Sequence, residues 1–208
     1  MGSSTPKQFL PVLGTPLLMH TMAAFHRFDA ALEQVLVLPE QHLMLWKQLT
    51  QKHHFSIPHK IALGGPQRFD SVRNGLNLIS SKSVVGVHDG VRPFVTNETL
   101  AACYETAEAQ GNAIPVVPMH ESIRQIVEGG SQSVPRDYYR KVQTPQCFHT
   151  DVLKAAYQQP YQKHYTDDAS VVEAMGEAIH LVNGNRENIK ITTPVDLLFA
   201  EALLKQSQ

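Results

Sequence analysis

The chain has 208 residues, of which 42% are hydrophobic and 18% charged, and this composition is typical of a globular protein with one sizeable core. Its formal net charge is −1 with histidine neutral, so it lacks the overall basic field of a nucleic-acid-binding protein, and no apolar run reaches the roughly 18 residues that a membrane span needs. With no N-terminal signal segment and two widely spaced cysteines, Cys103 and Cys147, the sequence predicts a cytoplasmic protein whose partners are small molecules rather than nucleic acid or a membrane.

Short apolar runs alternate with helical patterns through the first half of the chain. In chain order the sequence predicts strand 32–38, helix 41–53, strand 59–63, helix 68–79, strand 84–88, helix 97–110 and strand 113–117. Thr96 or Asn97 is the expected cap of the third helix, and Gly111 is its expected end. This alternation predicts an α/β fold with a mostly parallel sheet.

The alternation stops after Pro118. Two segments with strand character, 121–128 and 132–139, flank the turn residues Gly129-Gly130-Ser131, so we expect a β-hairpin arm over 118–140, inserted into a single domain 1–208. An isolated hairpin is only marginally stable, which favours docking of the arm on a second subunit. The pattern then resumes with helices 150–158 and 168–175, strands 178–182 and 188–192, and a closing helix 194–205 with Thr193 as its cap.

Polar residues follow the predicted strands at the carboxyl ends, where parallel sheets bind their ligands. Gly64 and Gly65 come after strand 59–63, and glycine lets a backbone approach a ligand closely. Arg68 and Ser71 then open a helix, whose N-terminus favours an anion or a polar edge. The same pattern also occurs in plain strand-to-helix turns, so both interpretations stay open.

Asp89 and Arg92 follow the predicted strand 84–88. A carboxylate at a strand end is suited to hold Mg²⁺ together with waters, and an arginine beside it is suited to clamp a phosphate. The alternative is a structural Asp–Arg pair that closes a turn. We interpret His88 as a packed strand residue, because no second metal ligand lies at a suitable spacing.

Further candidates are separated along the chain. Lys7 precedes an apolar run, Arg136 flanks the returning strand of the arm, and Lys190 lies inside an apolar segment. Thr144 is in a polar break and is able to donate to a phosphate. Each is also explained by an ordinary surface or turn position. The chain has no dinucleotide, P-loop or nucleophile-elbow motif, which argues against nicotinamide oxidoreductases, P-loop enzymes and α/β-hydrolases.

Six motifs, taken in order, resemble the bacterial 2-C-methyl-D-erythritol 4-phosphate cytidylyltransferase family. They are Pro6-Lys7-Gln8-Phe9-Leu10, Gly64-Gly65 through Arg68 and Ser71-Val72, His88-Asp89-Gly90-Val91-Arg92-Pro93, Gln143-Thr144-Pro145-Gln146, Asp167-Asp168-Ala169-Ser170 and Asn188-Ile189-Lys190-Ile191-Thr192. The resemblance covers nearly the whole chain. It implies a Rossmann-like nucleotidyltransferase fold with a protruding β-hairpin arm that is exchanged between two subunits of a homodimer.

The resemblance also implies the activity. Members transfer CMP from CTP to methylerythritol phosphate and release pyrophosphate, in non-mevalonate isoprenoid precursor biosynthesis. The alternative is a ribitol 5-phosphate cytidylyltransferase, which performs the same chemistry. The stretch Asp168-Ala169-Ser170-Val171-Val172-Glu173 is more similar to the methylerythritol enzyme.

Site roles follow from the resemblance. The implied nucleotide-binding residues are Gly64, Gly65, Arg68, Ser71, Asp89 and Gly90, and Asp89 is also the implied ligand of Mg²⁺ or another divalent cation. The implied sugar-phosphate contacts are Arg92, Ser122, Arg136, Thr144 and Lys190. Lys7, Arg136 and Lys190 are the implied catalytic residues, with Lys7 neutralising charge on the CTP phosphates, Arg136 coming from the neighbouring subunit and Lys190 positioning the attacking oxygen. Ser122 stands where the family often has threonine, so we expect its hydroxyl to keep the phosphate contact.

The start of the chain differs from the family. Members carry an apolar strand and a glycine-rich loop with a catalytic arginine directly before a Met-Gly that Met1-Gly2 matches. The expected cradle for the triphosphate belongs to that upstream part. A late start codon, omitted residues, a vector-derived start and a true loss all stay open, and an inactive form that binds only the sugar phosphate is the further alternative.

Overall fold

Strands and helices alternate up to a hairpin, after which the order changes. The computed structural model describes residues 6–80 and 82–206. Its strands are β1 (Pro11–Val12), β2 (Thr15–Pro16), β3 (Val35–Leu38), β4 (Lys60–Leu63), β5 (Val84–Val87), β6 (Asn112–Pro118), β7 (Ile123–Val127), β8 (Gly130–Val134), β9 (Arg140–Val142), β10 (Gln146–His149) and β11 (Leu181–Asn183). Its α-helices are α1 (Leu17–Phe28), α2 (Leu43–Lys52), α3 (Arg68–Leu76), α4 (Asn97–Gln110), α5 (Thr150–Ala156), α6 (Asp168–Glu173) and α7 (Pro194–Gln206).

The largest sheet is mixed. Its strand order is β11-β6-β10-β5, with β9 also paired to β6. β11 pairs with β6 in parallel, whereas β10 runs antiparallel to both β5 and β6. The α/β class is confirmed, and the difference from a mostly parallel sheet has a local cause. β9 and β10 pair with successive parts of β6 and are separated only by residues 143–145, so β10 enters the sheet without a crossover helix.

A gap separates this sheet from β3 and β4, which form a parallel pair of their own. β3 and β5 line a cavity of about 420 Å³ between them, which α3 covers on one side. A smaller cavity of about 150 Å³ lies on the α1 side of the same two strands. Both cavities are therefore bounded by the facing edges of β3 and β5. In the part of the chain that the structure describes, no strand pairs with these edges.

Helix ends follow the sequence closely. Thr96 caps α4 by accepting a hydrogen bond from the Thr99 amide, and Gly111 ends that helix with φ +92°. Asp167 and Ser170 form a reciprocal capping box at α6. The apolar faces of α5 and α6 pack with α3 into one core cluster that contains Phe69, Phe148, Leu153, Tyr157 and Val172.

Three segments differ from the sequence-based expectation, and one of them is 140–149, where the strands β9 and β10 were not predicted. Residues 188–192 do not form a strand. Asn188 is buried, and the Ile191 amide donates to the Val91 carbonyl, but this single backbone hydrogen bond does not make a ladder with a neighbouring strand. The β1–β2 hairpin and α1 were not predicted. Residues 1–5, which include Met1-Gly2, lie outside the described residues.

The arm is present as an antiparallel hairpin of β7 and β8, with Val127 opposite Gly130 at its turn. Within the described residues it pairs with none of the other three sheets. Ile126 on the hairpin and Tyr138 after it are both more than 80% exposed. Among the described residues, no helix is both long and apolar enough to cross a membrane.

Candidate active site

A turn directly after β5 carries the most densely bonded polar residues. The Arg92 amide donates to the Asp89 carbonyl over 3.0 Å and closes the turn. Gly90 lies inside it, and a Cβ at this position would be 2.9 Å from the Leu18 side chain. The turn therefore has room for glycine but not for a side chain unless Leu18 moves.

The Asp89 carboxylate pairs with two cations. Its Oδ2 accepts from Arg92 Nε at 2.9 Å and lies 3.1 Å from Lys190 Nζ. Burial opposes ionisation of this carboxyl, but the hydrogen bond from Arg92 and the charges of Lys190 and Arg92 outweigh it and lower the pKa of Asp89 below its ordinary value. Asp89 is therefore ionised at neutral pH.

Asn188 holds the turn from the other side of the site. Its carbonyl accepts from Arg92 Nη1 at 2.8 Å, and its side-chain Nδ2 donates to the Thr144 carbonyl at 2.8 Å. Asn188 is fully buried. It lies in the motif that contains Lys190, but the sequence interpretation assigned a role only to Lys190. Because buried polar side chains are nearly always hydrogen-bonded, the burial of Asn188 beside Arg92 and Thr144 indicates that it positions these residues. The sequence alone does not show this burial.

Thr144 and His88 complete the network. Thr144 Oγ1 accepts from the Asp89 amide at 3.1 Å and lies 3.0 Å from His88 Nδ1, while His88 Nε2 lies 2.9 Å from the Arg92 carbonyl. Burial is the main cause that lowers the pKa of His88 to about 4. His88 therefore has specific hydrogen-bond partners. The interpretation of His88 as a packed strand residue did not predict them.

A second group of predicted residues lies at the start of α3. The Gly65 amide donates to Ser71 Oγ at 3.0 Å, and Ser71 Oγ donates to the Gln67 carbonyl at 3.0 Å. A Cβ at Gly65 would be 2.3 Å from the Asp70 Cβ, so only glycine fits this turn. The Gly64 amide donates to the Leu38 carbonyl at 2.8 Å and ties the turn to the end of β3.

Arg68 is held by a partner that the sequence did not reveal. Its two terminal nitrogens bind the two oxygens of Asp168 at 3.0 and 2.5 Å. Tyr157 donates its hydroxyl to Asp168 Oδ1 at 2.6 Å, and the Asp168 side chain is fully buried. This bidentate pair connects the start of α3 to the start of α6.

The cavity between β3 and β5 brings the two groups together. Arg68 and Ser71 line it from α3, and Asp89 and Gly90 line it from the turn after β5. Gln8, the neighbour of Lys7, also lines it. Four of the six predicted nucleotide-binding residues thus share one cavity, although they come from separate parts of the chain.

Other predicted residues lie apart from this cluster. Lys7 is exposed on a short 3₁₀ turn that Phe9 anchors against Trp46. Ser122 and Arg136 are exposed at the base of the arm, where Arg136 donates to the His120 carbonyl. Within residues 6–80 and 82–206, no group of three or more histidine, cysteine or acidic side chains is arranged to hold a metal ion. Asp89 and Glu33 are the carboxylates that line the cavity, and Arg68 lines it as well.

Comparison with known proteins gives one consistent result. A model of the 2-C-methyl-D-erythritol 4-phosphate cytidylyltransferase family matches residues 1–206. The chain is similar to the enzyme of that name from Bacteroides thetaiotaomicron, with 56% identity over 204 residues that span 98% of this chain and 93% of the relative. It is also similar to the enzyme of that name from Porphyromonas gingivalis, with 47% identity over 98% of this chain and 91% of the relative.

Solved structures give the same fold. The crystal structure of 2-C-methyl-D-erythritol 4-phosphate cytidylyltransferase from Thermus thermophilus superposes with a TM-score of 0.77 at 34% identity, covering 98% of this chain and 96% of that one. The structure of 4-diphosphocytidyl-2C-methyl-D-erythritol synthase from Anaerococcus prevotii superposes with a TM-score of 0.84 at 27% identity, covering 98% and 92%. The Rossmann-like nucleotidyltransferase fold is thereby confirmed.

Proposed function

Since the chain belongs to the 2-C-methyl-D-erythritol 4-phosphate cytidylyltransferase family, we infer that it transfers CMP from CTP to 2-C-methyl-D-erythritol 4-phosphate. The products are a CDP-linked methylerythritol and pyrophosphate, and the reaction serves isoprenoid precursor biosynthesis. The observation that carries this function at the level of the site is the position of Asp89. It pairs with Lys190 and Arg92 and lines the same cavity as Arg68 and Ser71.

The reaction is a nucleotidyl transfer that needs positioning and charge. A phosphate oxygen of the sugar phosphate forms a bond to the α-phosphorus of CTP, and the bond from that phosphorus to the bridging oxygen breaks as pyrophosphate leaves. Negative charge builds on the phosphoryl oxygens, so fixed cations contribute more than a covalent nucleophile. Lys190 is half-exposed beside Asp89 and Lys7 is exposed, and we assign to them the neutralisation of this charge.

The nucleotide is assigned to the cavity side of the site. Gly64, Gly65 and Ser71 form a turn that internal hydrogen bonds hold in place, and its fixed backbone is suited to receive the polar edge of cytosine. Arg68 opens the adjacent helix and is held by Asp168. Gly90 lies in the Asp89 turn and lines the same cavity, and its lack of a side chain lets Leu18 pack against the turn.

Mg²⁺ or another divalent cation is assigned to Asp89. Mg²⁺ is usually held by one or two carboxylates together with substrate phosphates and waters, so Asp89, which lines the cavity assigned to the nucleotide, is suited to this ion. The bound ion would neutralise phosphate charge. Asp89 supplies a carboxylate for it that is ionised at neutral pH.

The sugar phosphate is assigned to the basic side of the turn. Lys190 orients its attacking oxygen, and Arg92 contributes positive charge from a buried position. Ser122 and Arg136 lie near the arm, away from this cluster, and we assign them to the site of a neighbouring subunit. We therefore propose a homodimer that is joined through the arm 118–140 of a single domain. We also propose a cytoplasmic location.

Pyrophosphate release measured with CTP and Mg²⁺ tests the function. We expect turnover with 2-C-methyl-D-erythritol 4-phosphate and little with ribitol 5-phosphate. Turnover with ribitol 5-phosphate alone would contradict the substrate, and binding of the sugar phosphate without binding of CTP, measured by calorimetry, would contradict the enzymatic function of this chain.

A further inference from the structure

His88 bridges two parts of the candidate site that are distant in sequence. One ring nitrogen faces the Arg92 carbonyl, at the far end of the Asp89 turn, and the other faces the hydroxyl of Thr144 in the loop between β9 and β10. Phe25 packs against the ring, with the ring centroids 4.7 Å apart. The imidazole is thus fixed on both nitrogens and by one apolar neighbour.

The partners determine which atoms donate. A carbonyl only accepts, so His88 Nε2 carries the proton that binds the Arg92 carbonyl at 2.9 Å. In the neutral ring Nδ1 is then an acceptor, and the Thr144 hydroxyl donates its only proton to it over 3.0 Å. The hydroxyl oxygen retains its lone pairs, and one of these accepts the Asp89 amide at 3.1 Å.

This arrangement has a consequence for Thr144. Its hydroxyl proton is committed to His88, and the residue is buried, so it does not donate to a substrate phosphate while the bridge is intact. Its oxygen instead holds the backbone of Asp89, the residue whose carboxylate pairs with Lys190. Thr144 therefore reaches the chemistry through Asp89.

We propose that His88 is a positioning residue that orients the Thr144 hydroxyl and thereby fixes the Asp89 turn for catalysis. The role of the turn in nucleotidyl transfer rests on the proposed function, whereas the bridge itself does not depend on it. Asp89 and Arg92 lie three residues apart on the turn and belong to the same ion-pair cluster. A turn that is braced at Asp89 by Thr144 and at Arg92 by His88 presents its carboxylate in one orientation.

Kinetics of four variants test the bridge. His88→Gln and Thr144→Val each remove it, and we expect each to lower kcat about tenfold because one positioning hydrogen bond is lost, with little change in KM for the sugar phosphate. Thr144→Ser retains a hydroxyl and should recover most of the activity. The double variant His88→Gln/Thr144→Val should be no worse than the less active single variant, since both changes break one unit.

Matched controls separate the bridge from general damage to the core. Thr150→Val removes a buried threonine hydroxyl, which donates to the Ser83 carbonyl at the start of α5, and His180→Gln removes a part-buried imidazole next to Asn112. Both controls should keep wild-type kinetics. Thermal unfolding of all variants shows whether a loss of activity reflects a loss of folded protein.

Two kinetic outcomes would overturn the proposal. A rise in KM for the sugar phosphate in Thr144→Val, together with wild-type kinetics in His88→Gln, would mean that Thr144 contacts the substrate directly. Multiplicative losses in the double variant would mean that the two residues act independently.

Nitrogen-15 NMR of the histidine rings, together with exchange of the Asp89 amide, tests the bridge without substrate. We expect a proton on His88 Nε2 and none on Nδ1, and faster exchange of the Asp89 amide in both His88→Gln and Thr144→Val. A proton on Nδ1, or an unchanged Asp89 amide, would contradict the bridge. Absence of turnover by the wild-type chain with either sugar phosphate would overturn the proposed function, and the NMR result would still decide the bridge.

Discussion

At the scale of single residues, Asp89 pairs with two cations that differ in their freedom to move. The Arg92 side chain is 9% exposed and is also bound to the Asn188 carbonyl, whereas the Lys190 side chain is 44% exposed. Arg92 therefore fixes the carboxylate. Lys190 is able to turn from Asp89 toward an incoming phosphate at a small cost, because a half-exposed ion pair contributes little to stability.

Replacement of Lys190 tests this division. Lys190→Ala should lower turnover by a hundredfold or more, roughly the effect of removing one fixed electrostatic contact from a transition state, and should leave the melting temperature nearly unchanged. Lys60→Ala is the control, because the Lys60 side chain is 50% exposed, close to the 44% of Lys190, and forms an ion pair with Glu33. Pyrophosphate release and thermal unfolding measure both effects. An unchanged rate in Lys190→Ala would remove this lysine from the site.

The pKa of His88 gives a prediction for stability against pH. Burial lowers this pKa from 6.5 to about 4, so between these values the unfolded chain binds a proton that the folded chain does not. Stability should therefore fall as the pH drops from about 6.5 to about 4, with a contribution from His88 on the order of 1 to 3 kcal/mol.

Denaturant unfolding at several pH values in the presence of a chelator measures this effect. His88→Gln should unfold with a weaker dependence on pH in this window than the wild type. Equal slopes for wild type and His88→Gln would contradict the burial of a neutral His88.

At the scale of elements, the ion pair between Arg68 and Asp168 joins the starts of α3 and α6. The residues lie 100 positions apart in sequence, and Asp168 is fully buried while Arg68 is half-exposed. Tyr157 on the segment after α5 donates to the same carboxylate. The turn assigned to cytosine therefore depends for its position on a helix that forms far along the chain.

Variants of this cluster should differ in severity. Asp168→Asn breaks the charge pair and should destabilise the fold by about 2 to 4 kcal/mol. This loss of stability should be smaller than for a pair in which both ions are buried, because water reaches Arg68. Tyr157→Phe removes one hydrogen bond and should cost about 1 kcal/mol. Denaturant unfolding measures the stabilities, and KM for CTP should rise in Asp168→Asn. Equal stabilities for the two variants would contradict the ion pair as the dominant interaction.

At the scale of the whole molecule, the hairpin of β7 and β8 extends without a sheet to support it. Among residues 6–80 and 82–206 its two strands pair only with each other, and Ile126 and Tyr138 are 81% and 86% exposed. Large exposed apolar side chains on a marginally stable hairpin favour an interface with a second copy.

The oligomeric state tests the arm. The double variant Ile126→Ser/Tyr138→Ser should shift the protein from dimer toward monomer at micromolar concentration in light scattering and should keep its melting profile at high concentration. Met44→Ser on α2 is the control, because Met44 is 67% exposed outside the arm. A wild-type monomer under these conditions would contradict the dimer.

The gap between β3 and β5 gives a second prediction at this scale. β5 pairs only with β10 and β3 only with β4 among the described residues, whereas β6 has strand partners on both of its edges. Amides of β3 and β5 that face the cavity should exchange with solvent faster than those of β6, because no strand in the described part of the chain pairs with that edge. Hydrogen exchange measured by NMR or mass spectrometry resolves the difference, and equal protection would contradict an open edge.

The sequence by itself determined features that depend on neighbouring residues. Thr96, Gly111 and the Asp167–Ser170 box set helix ends through contacts within a few positions, and the turn at Gly129-Gly130 set the hairpin. It also carried the order of motifs that identifies the family, and with it the α/β fold.

Only the tertiary structure decided how the site residues meet. Asp89 and Thr144 are 55 positions apart, Arg92 and Asn188 are 96 apart, and Arg68 and Asp168 are 100 apart. No local periodicity encodes such pairs, since they form only when separate strands and helices pack on each other. For the same reason His88 was interpreted from its sequence as a packed strand residue, while the fold gives its ring two specific partners.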